Sequence, residues 1–301
     1  MNKKIVLVTG SYGFLAQNLI LKLLKLNYYV LGIDQNIKGK FNFNFDKYIK
    51  NKKFHNIIIN INNYKKICIL LNKYKIFCCF HLAAITQVNE SDRNPVNNFK
   101  TNIIGTINLL EYFRLYSNKT IFIFSSSDKA YGKYNKLPYK ETYPLNGLHP
   151  YDVSKSSADK IVQTYNYHYN LKTSVTRSVN IYGPGDMNSK RLIPETIISL
   201  LKNKKINLRS DGKYIRDYIF VDDLVNGYVK LLNYMKSNNV KLNDTIFNFG
   251  TGKKIKVIEI VKKILKKLNK DKNYFEILNI ANNEINNQYT DYNKAKKLLN
   301  W

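Results

Sequence analysis

The sequence predicts an α/β protein built on a parallel sheet that helices cover on both faces. Three observations carry that prediction. Short apolar runs alternate with longer stretches of helical periodicity as far as Arg177. The runs are nearly continuous in apolar residues, as strands buried on both faces are. The segments joining them are of helical length, which parallel neighbours need and hairpins do not.

The first strand, Ile5 to Thr9, runs into Gly10-Ser11-Tyr12-Gly13-Phe14-Leu15-Ala16 and an amphipathic helix that ends near Asn27. Tyr29 to Ile33 is the second strand, closed by Asp34. Lys38 to Lys53 is polar, aromatic and irregular. Ile57 to Ile61 is the third strand, Tyr64 to Tyr74 a helix, and Phe77 to Leu82 the fourth strand, passing into Ala83-Ala84. Pro95 to Tyr116 is one long helix, Ile121 to Phe124 the fifth strand, Tyr151 to Tyr169 a helix, and Thr173 to Arg177 the sixth strand. Beyond Asn180 the texture changes. Tyr182 to Asp186 is a loop, Leu192 to Leu201 a helix, and Tyr214 to Val221 a strand whose following helix Asp222 caps. Thr245 to Phe249 is a strand, Ile255 to Leu268 a helix, Asn279 to Gln288 an Asn-rich loop, and Asp291 to Leu299 a last short helix. This pattern predicts a first domain over 1–179 and a smaller α/β domain over 180–301, with a segment near 214–236 returning to the first.

At 301 residues the chain can form one large core and a lesser one. No apolar run approaches the roughly 18 residues of a spanning helix, so no membrane partner is expected. Met1-Asn2-Lys3-Lys4 leads straight into a strand, which predicts neither a signal nor a transit peptide and places the protein in the cytoplasm. Cys68, Cys78 and Cys79 lack metal-ligand spacing and read as reduced thiols, with no metal site. The formal charge of +28 raises the question of nucleic acid. The excess, however, travels with Asn, Ile and Tyr along the whole chain. In Val261-Lys262-Lys263-Ile264-Leu265-Lys266-Lys267-Leu268 the lysines fill the face opposite the apolar one. They are expected to be solvated, and no nucleic-acid partner is expected.

Strand, glycine turn and helix form a dinucleotide site. Gly10 permits the sharp turn, and Gly13 lets the backbone approach a pyrophosphate held on the helix N-terminus. Asp34, ending the second strand, can accept hydrogen bonds from both ribose hydroxyls and repel a 2′-phosphate, which favours NAD over NADP. Asn60 and Ile61 are expected against the adenine. Leu82, Ala83 and Ala84 pass beside the cofactor, and Tyr12, Phe14, Leu15 and Asn102 are assigned to the same site. The chemistry is expected between Ile121 and Lys155. Hydroxyls end the fifth strand at Ser125-Ser126-Ser127, an acid and an amine follow at Asp128-Lys129, and Tyr151 and Lys155 sit four apart on one helix face. Tyr-x-x-x-Lys arises easily by chance in a chain with 24 tyrosines, so its weight comes from standing behind the serine strand and the glycine turn.

These motifs together resemble the extended short-chain dehydrogenase/reductase family. Gly-x-x-Gly-Phe-x-Ala, His81-Leu82-Ala83-Ala84, Ser125 through Gly132, Tyr151-x-x-x-Lys155 and Arg216-Asp217-Tyr218-Ile219-Phe220-Val221-Asp222-Asp223 stand in the family's order across nearly the whole chain. The resemblance implies a Rossmann-type doubly wound sheet, bound NAD, a nucleotide-diphosphate sugar as substrate, and a homodimer through Pro95–Tyr116 and Tyr151–Tyr169. Within the family, Ser127-Asp128-Lys129, Leu148 through Lys155, Arg191-Leu192-Ile193-Pro194 and Arg209-Ser210-Asp211-Gly212-Lys213 look like the CDP-glucose 4,6-dehydratases. The chain departs from that group in stopping at Trp301. The resemblance implies that Ser127, Tyr151 and Lys155 serve oxidation at C4, that Asp128 protonates the leaving C6 hydroxyl, and that Lys129, with a lowered pKa, takes the C5 proton. Lys155 and the nicotinamide charge are expected to draw Tyr151 down toward neutrality. Asn180, Arg191, Arg209 and Arg216 are the candidates for the substrate's diphosphate and sugar. The alternatives are a nucleotide-sugar 4-epimerase, which needs no dehydrating acid, and a non-catalytic nucleotide-binding protein on the same fold.

Overall fold

The structure, a computed structural model, describes residues 4–35, 50–237, 240, 242–280 and 284–301. Most of the irregular stretch expected over Lys38 to Lys53 therefore lies outside the described residues. The early strands are β1 (Ile5–Thr9), β2 (Tyr29–Asp34), β3 (Phe54–Ile58), β4 (Ile76–His81), β5 (Ile121–Ser127) and β6 (Thr173–Ser178). Short strands follow: β7 (Asn180–Tyr182), β8 (Ile206–Leu208), β9 (Ile215–Arg216), β10 (Tyr218–Phe220), β11 (Ile246–Phe249), β12 (Ile255–Lys256), β13 (Phe275–Ile277) and β14 (Asn287–Gln288). Seven of them form a parallel sheet in the order β11-β6-β5-β4-β1-β2-β3. The expected α/β fold with a doubly wound parallel sheet is thus present.

Neighbouring residues of one strand enter different cores, which is why the strands read as continuous rather than alternating. Val6 and Val8 of β1 and Ile121 and Ile123 of β5 face helices Phe14–Lys25 and Val221–Met235. Leu7, Phe122 and Phe124 face helices Tyr64–Leu71, Gly105–Tyr116 and Pro150–Tyr169. Each such side chain stabilises the fold by about 1.5–3 kcal/mol relative to exposure. Cys78 and Cys79 of β4 divide between the same two cores as free thiols. Strand order reverses between β1 and β4, so a crevice opens there at the carboxyl ends of the strands. The chain first leaves the sheet at Asn180, where β7 pairs with β10. It does not leave for good. Val221–Met235 packs on the sheet, and β11 pairs with β6. A third, smaller core joins helices Leu192–Leu201 and Val257–Lys267.

Several boundaries differ from expectation for tertiary reasons. The third strand begins at Phe54, because pairing with β2 places Phe54 opposite Val30; Ile58, inside the expected run, is 46% exposed. The helix Pro95–Tyr116 is interrupted by a π-helical turn over Lys100–Ile104. Tyr214 to Val221 is two short strands parted at Asp217, whose buried carboxylate accepts hydrogen bonds from Thr251 N, Thr251 Oγ1 and Gly252 N. Phe220, not Asp222, is the N-cap of the following helix, and Asp222 lies in its first turn. Ile255 and Lys256 pair with β9 before the helix starts at Val257. Asn287–Gln288, expected as loop, also pairs with β9. A helix at Val88–Arg93 was not anticipated. Among the described residues, no helix is long and apolar enough to cross a membrane.

Candidate active site

The crevice is a cavity of about 840 Å³ running from the Gly10 turn past Tyr151 to Arg209. At its floor Gly10 has φ +67°, and a Cβ there would lie 2.8 Å from Ala83 Cα. Glycine is needed on both counts. Gly10 N donates to Ile33 O at 2.8 Å and Gly13 N to Gly10 O at 2.8 Å, which winds the turn onto helix Phe14–Lys25. Gly13 is that helix's N-cap and carries no side chain, leaving the first-turn N–H groups facing the cavity beside Phe14 and Leu15. Asp34 lines the cavity at the tip of β2, and its Oδ2 accepts from Tyr12 N at 3.0 Å. Asn60, Ile61, Leu82, Ala83 and Ala84 line the same end.

Two residues assigned to the cofactor stand behind this wall. Tyr12 contributes its backbone N–H to Asp34. Asn102, 2% exposed, clasps Ile85 through both backbone groups and donates to Ser154 Oγ at 2.8 Å. It ties the loop after β4 to the helix of Tyr151. His81 is a strand-end wedge. Thr9 Oγ1 accepts from Leu82 N and Ala83 N, so its hydroxyl proton points to His81 Nδ1, and His81 Nε2–H donates to Thr106 Oγ1. Burial and then Lys155 lower this imidazole to about 3, so it is neutral and structural.

Ser127, Asp128, Lys129, Tyr151 and Lys155 all line the cavity's middle. β5 extends to Ser127 and turns through a single 3₁₀ turn, Asp128–Tyr131. Ser127 Oγ donates to Asp128 Oδ1 at 3.1 Å and accepts from Lys129 N at 3.2 Å. The turn rests on a buried polar plug. Arg177 pairs with Asp159 at 2.9 Å and donates to Tyr131 OH, and the Tyr131 ring stacks on Tyr139 at 4.7 Å. Breaking such a buried pair commonly costs about 3–5 kcal/mol, which makes this plug structural.

Lys155 Nζ donates to Ser125 O at 2.8 Å, and burial lowers its ammonium to about 8. Tyr151 is 8% exposed, and burial pushes its phenol up, with a hydrogen bond to Ser127 acting the other way. In the chain by itself burial therefore outweighs the lowering expected from Lys155. Asp128 is raised from the ordinary carboxyl range, chiefly by burial and against the pull of Lys129. Lys129 Nζ donates to Gln288 Oε1 at 3.2 Å.

Toward the outer end stand Asn180, Arg191, Arg209 and Arg216. Asn180 Nδ2 donates to Asp217 O at 3.1 Å. Arg191 pairs with Asp186 at 3.2 Å, while Arg209 and Arg216 share Glu284 at 3.4 and 3.7 Å. All three guanidiniums are thus oriented by carboxylates at the cavity rim.

Two residues at the site escaped sequence reading, one behind the cavity wall and one in it. Gln288 reaches Lys129 from a segment that looks like loop. Asp152 follows Tyr151, is 2% exposed, and burial raises it to about 6. A carboxyl raised in the folded state loses stability as pH climbs from its unfolded value, near 4, through its folded one. Asp152→Asn is therefore expected to stabilise the chain by about 1–3 kcal/mol above pH 6 and by almost nothing below pH 4. Melting curves across that range check it; a gain independent of pH would contradict it.

The sheet, the glycine turn and the wall of serine, tyrosine and lysine are those of an extended short-chain dehydrogenase/reductase enzyme that handles nucleotide sugars. The chain belongs to the family described as GDP-mannose 4,6 dehydratase, whose model matches residues 7–301. It is similar to a UDP-glucuronate 4-epimerase from Thermodesulfobacterium geofontis, 31% identical over 304 residues, with 98% of this chain and 90% of the relative covered. A dTDP-D-glucose 4,6-dehydratase from Dictyostelium discoideum is 32% identical over 273 residues, covering 86% of this chain and 61% of the relative. The crystal structure of a dTDP-glucose 4,6-dehydratase from Bacillus anthracis in complex with NAD matches with a TM-score of 0.87 at 25% identity, over 99% of this chain and 91% of that one. Dehydratases and epimerases are thus about equally near.

Proposed function

We propose that the protein is an NAD-dependent nucleotide-sugar 4,6-dehydratase, converting an NDP-hexose, with CDP-glucose favoured, to the 4-keto-6-deoxy sugar. The observation that carries this reading is Asp128. Its buried carboxyl, raised by that burial, sits beside Ser127 in the wall shared with Tyr151 and Lys155. Oxidation at C4 alone has no use for such an acid.

The cradle fits a dinucleotide. A Cβ on Gly10 would fill it, helix N–H groups face it without a capping side chain, and Asp34 stands at its far end. Bound NAD would supply the acceptor and later donor of hydride, and a positive ring charge near Tyr151. Tyr151 takes the proton of the C4 hydroxyl, and Ser127 hydrogen-bonds the C4 oxygen. Lys155, fixed on Ser125 O, keeps a positive charge beneath this pair at pH below about 8. Asp128 holds the proton that the departing C6 hydroxyl needs. Arg191, Arg209, Arg216 and Asn180 bind the diphosphate and sugar, the substrate's charge replacing Asp186 and Glu284 as partner. The same reading has a cytoplasmic homodimer formed through Gly105–Tyr116 and Pro150–Tyr169, which expose Leu115, Tyr116 and Tyr167; a monomer by light scattering would remove that part.

Mass spectrometry after incubation with CDP-, UDP-, GDP- and dTDP-glucose tests the reading, which expects one of them to lose one water. A 4-epimerase, the second reading, has in its favour the 31% identity to a UDP-glucuronate 4-epimerase, and would give a product of unchanged mass. For the cofactor, Asp34→Asn keeps an acceptor for Tyr12 N but loses the charge. It is expected to weaken NAD by about tenfold or more, as loss of charge-assisted hydrogen bonds does, and to narrow the preference over NADP. Fluorescence titration with both nucleotides measures this, and a wild type preferring NADP would sink it.

A further inference from the structure

We propose that Asp152, not Lys129, accepts the C5 proton during dehydration, with Lys129 as its fixed counter-charge. The inference rests on the dehydratase reading. Asp152 lies in the cavity wall one residue from Tyr151, yet among the described residues its carboxylate has no hydrogen-bond partner, although it is almost fully buried. Buried carboxylates are ordinarily satisfied, so one left open toward a cavity is available to a ligand. Its placement is rigid. It sits in the first turn of helix Pro150–Tyr169, and Gly147 presses so close that a Cβ there would lie 2.9 Å from Asp152 Cβ.

The charged groups around it come from three elements: Lys129 and Asp128 from the turn after β5, His149 just ahead of the helix, and Asp92 from helix Val88–Arg93. Lys129 Nζ donates to Gln288 Oε1, and its charge acts on the carboxyl groups of both Asp128 and Asp152, which suits it to the part of counter-charge. The Asp152 carboxylate has lone pairs open to the cavity, and burial brings its proton affinity up to about 6, near that of a working base.

The balance is complete. With C4 oxidised to a ketone, the C5–H bond breaks, its electron pair becomes the enolate spanning C5, C4 and the C4 oxygen, and the proton passes to Asp152. The enolate pair then forms the C5–C6 double bond as the C6–O bond breaks, and the hydroxyl leaves as water with the proton of Asp128. C6 receives the hydride that C4 gave up, and Asp152 returns its proton to C5. The proton Tyr151 took from the C4 hydroxyl matches the one Asp128 released.

The test uses the full chain in deuterium oxide with CDP-, UDP-, GDP- and dTDP-glucose, following deuterium at C5 by mass spectrometry and reduced nicotinamide by absorbance. Asp152→Asn and Asp152→Ser are expected to keep the substrate-dependent absorbance rise, which also reports that they fold, while C5 incorporation falls by about 10²–10⁴. Lys129→Met is expected to incorporate deuterium within about tenfold of wild type, with the pH at which incorporation rises moved upward, because losing the cation makes the carboxyl hold its proton harder. Undiminished incorporation in both Asp152 variants, or its loss in Lys129→Met with Asp152 intact, overturns the proposal alone. A wild type that inverts C4 and takes up no deuterium at C5 overturns it together with the dehydratase reading.

Discussion

Tyr151→Phe is expected to end oxidation at C4, lowering turnover by about 10²–10⁴ or more, while leaving nucleotide-sugar binding intact. The substitution removes one oxygen and keeps the buried ring that lines the cavity, so neither core nor helix changes. What is lost is the group that can take the C4 hydroxyl proton. Ser127 cannot replace it, because an aliphatic hydroxyl is a far weaker acid than a phenol and supplies no base without another group to take its proton. The measurement is paired: no rise in reduced-nicotinamide absorbance on adding substrate, and an undisturbed calorimetric titration with the same nucleotide sugar. Turnover equal to wild type would remove Tyr151 from the chemistry.

Asp128→Asn is expected to divide the reaction in two. Size and shape are kept and Ser127 still finds an oxygen acceptor, but there is no proton to give. Oxidation at C4 should proceed and reduced nicotinamide should accumulate, because the step that consumes it waits for the C6 hydroxyl to leave. Dehydrated product should fall by about 10²–10⁴, the usual cost of one general acid. Persistent absorbance without loss of water by mass spectrometry is the expected pair of results. Full turnover in this variant, with a product inverted at C4, would make Asp128 structural and the protein an epimerase.

The fold was legible where local pattern and tertiary role coincide. β1, β5 and β6 are short apolar runs because both their faces are buried, and the glycine turn is recognisable because Gly10 meets a backbone, Ala83, that no other residue could pass so closely. The misses are places where a distant partner decides. β3 slid to Phe54 because β2 sets its register, and an edge strand can leave Ile58 outside. The break at Asp217 answers to Thr251 and Gly252, far along the chain. The site divides similarly. Ser127 through Lys155 could be gathered from order alone, since a strand end and a helix face place them. Asp152 could not, because the residue next to Tyr151 on a helix points about 100° away from it, and only the folded structure shows that this direction still meets the cavity.

The position of β11 has a consequence for how the molecule is made. β6 has all six residues buried, and its outer edge is closed by Ile246–Phe249, which follow the whole excursion from Asn180. During synthesis the sheet must wait for that excursion, with the backbone N–H and C=O groups of β6 unpaired along one side. Exposed edges of this kind recruit other chains. A fragment ending at residue 179 is accordingly expected to self-associate in sedimentation runs, where one ending at residue 301 does not form open-ended aggregates. The last strand to join this sheet acts as the seal on a surface that would otherwise polymerise.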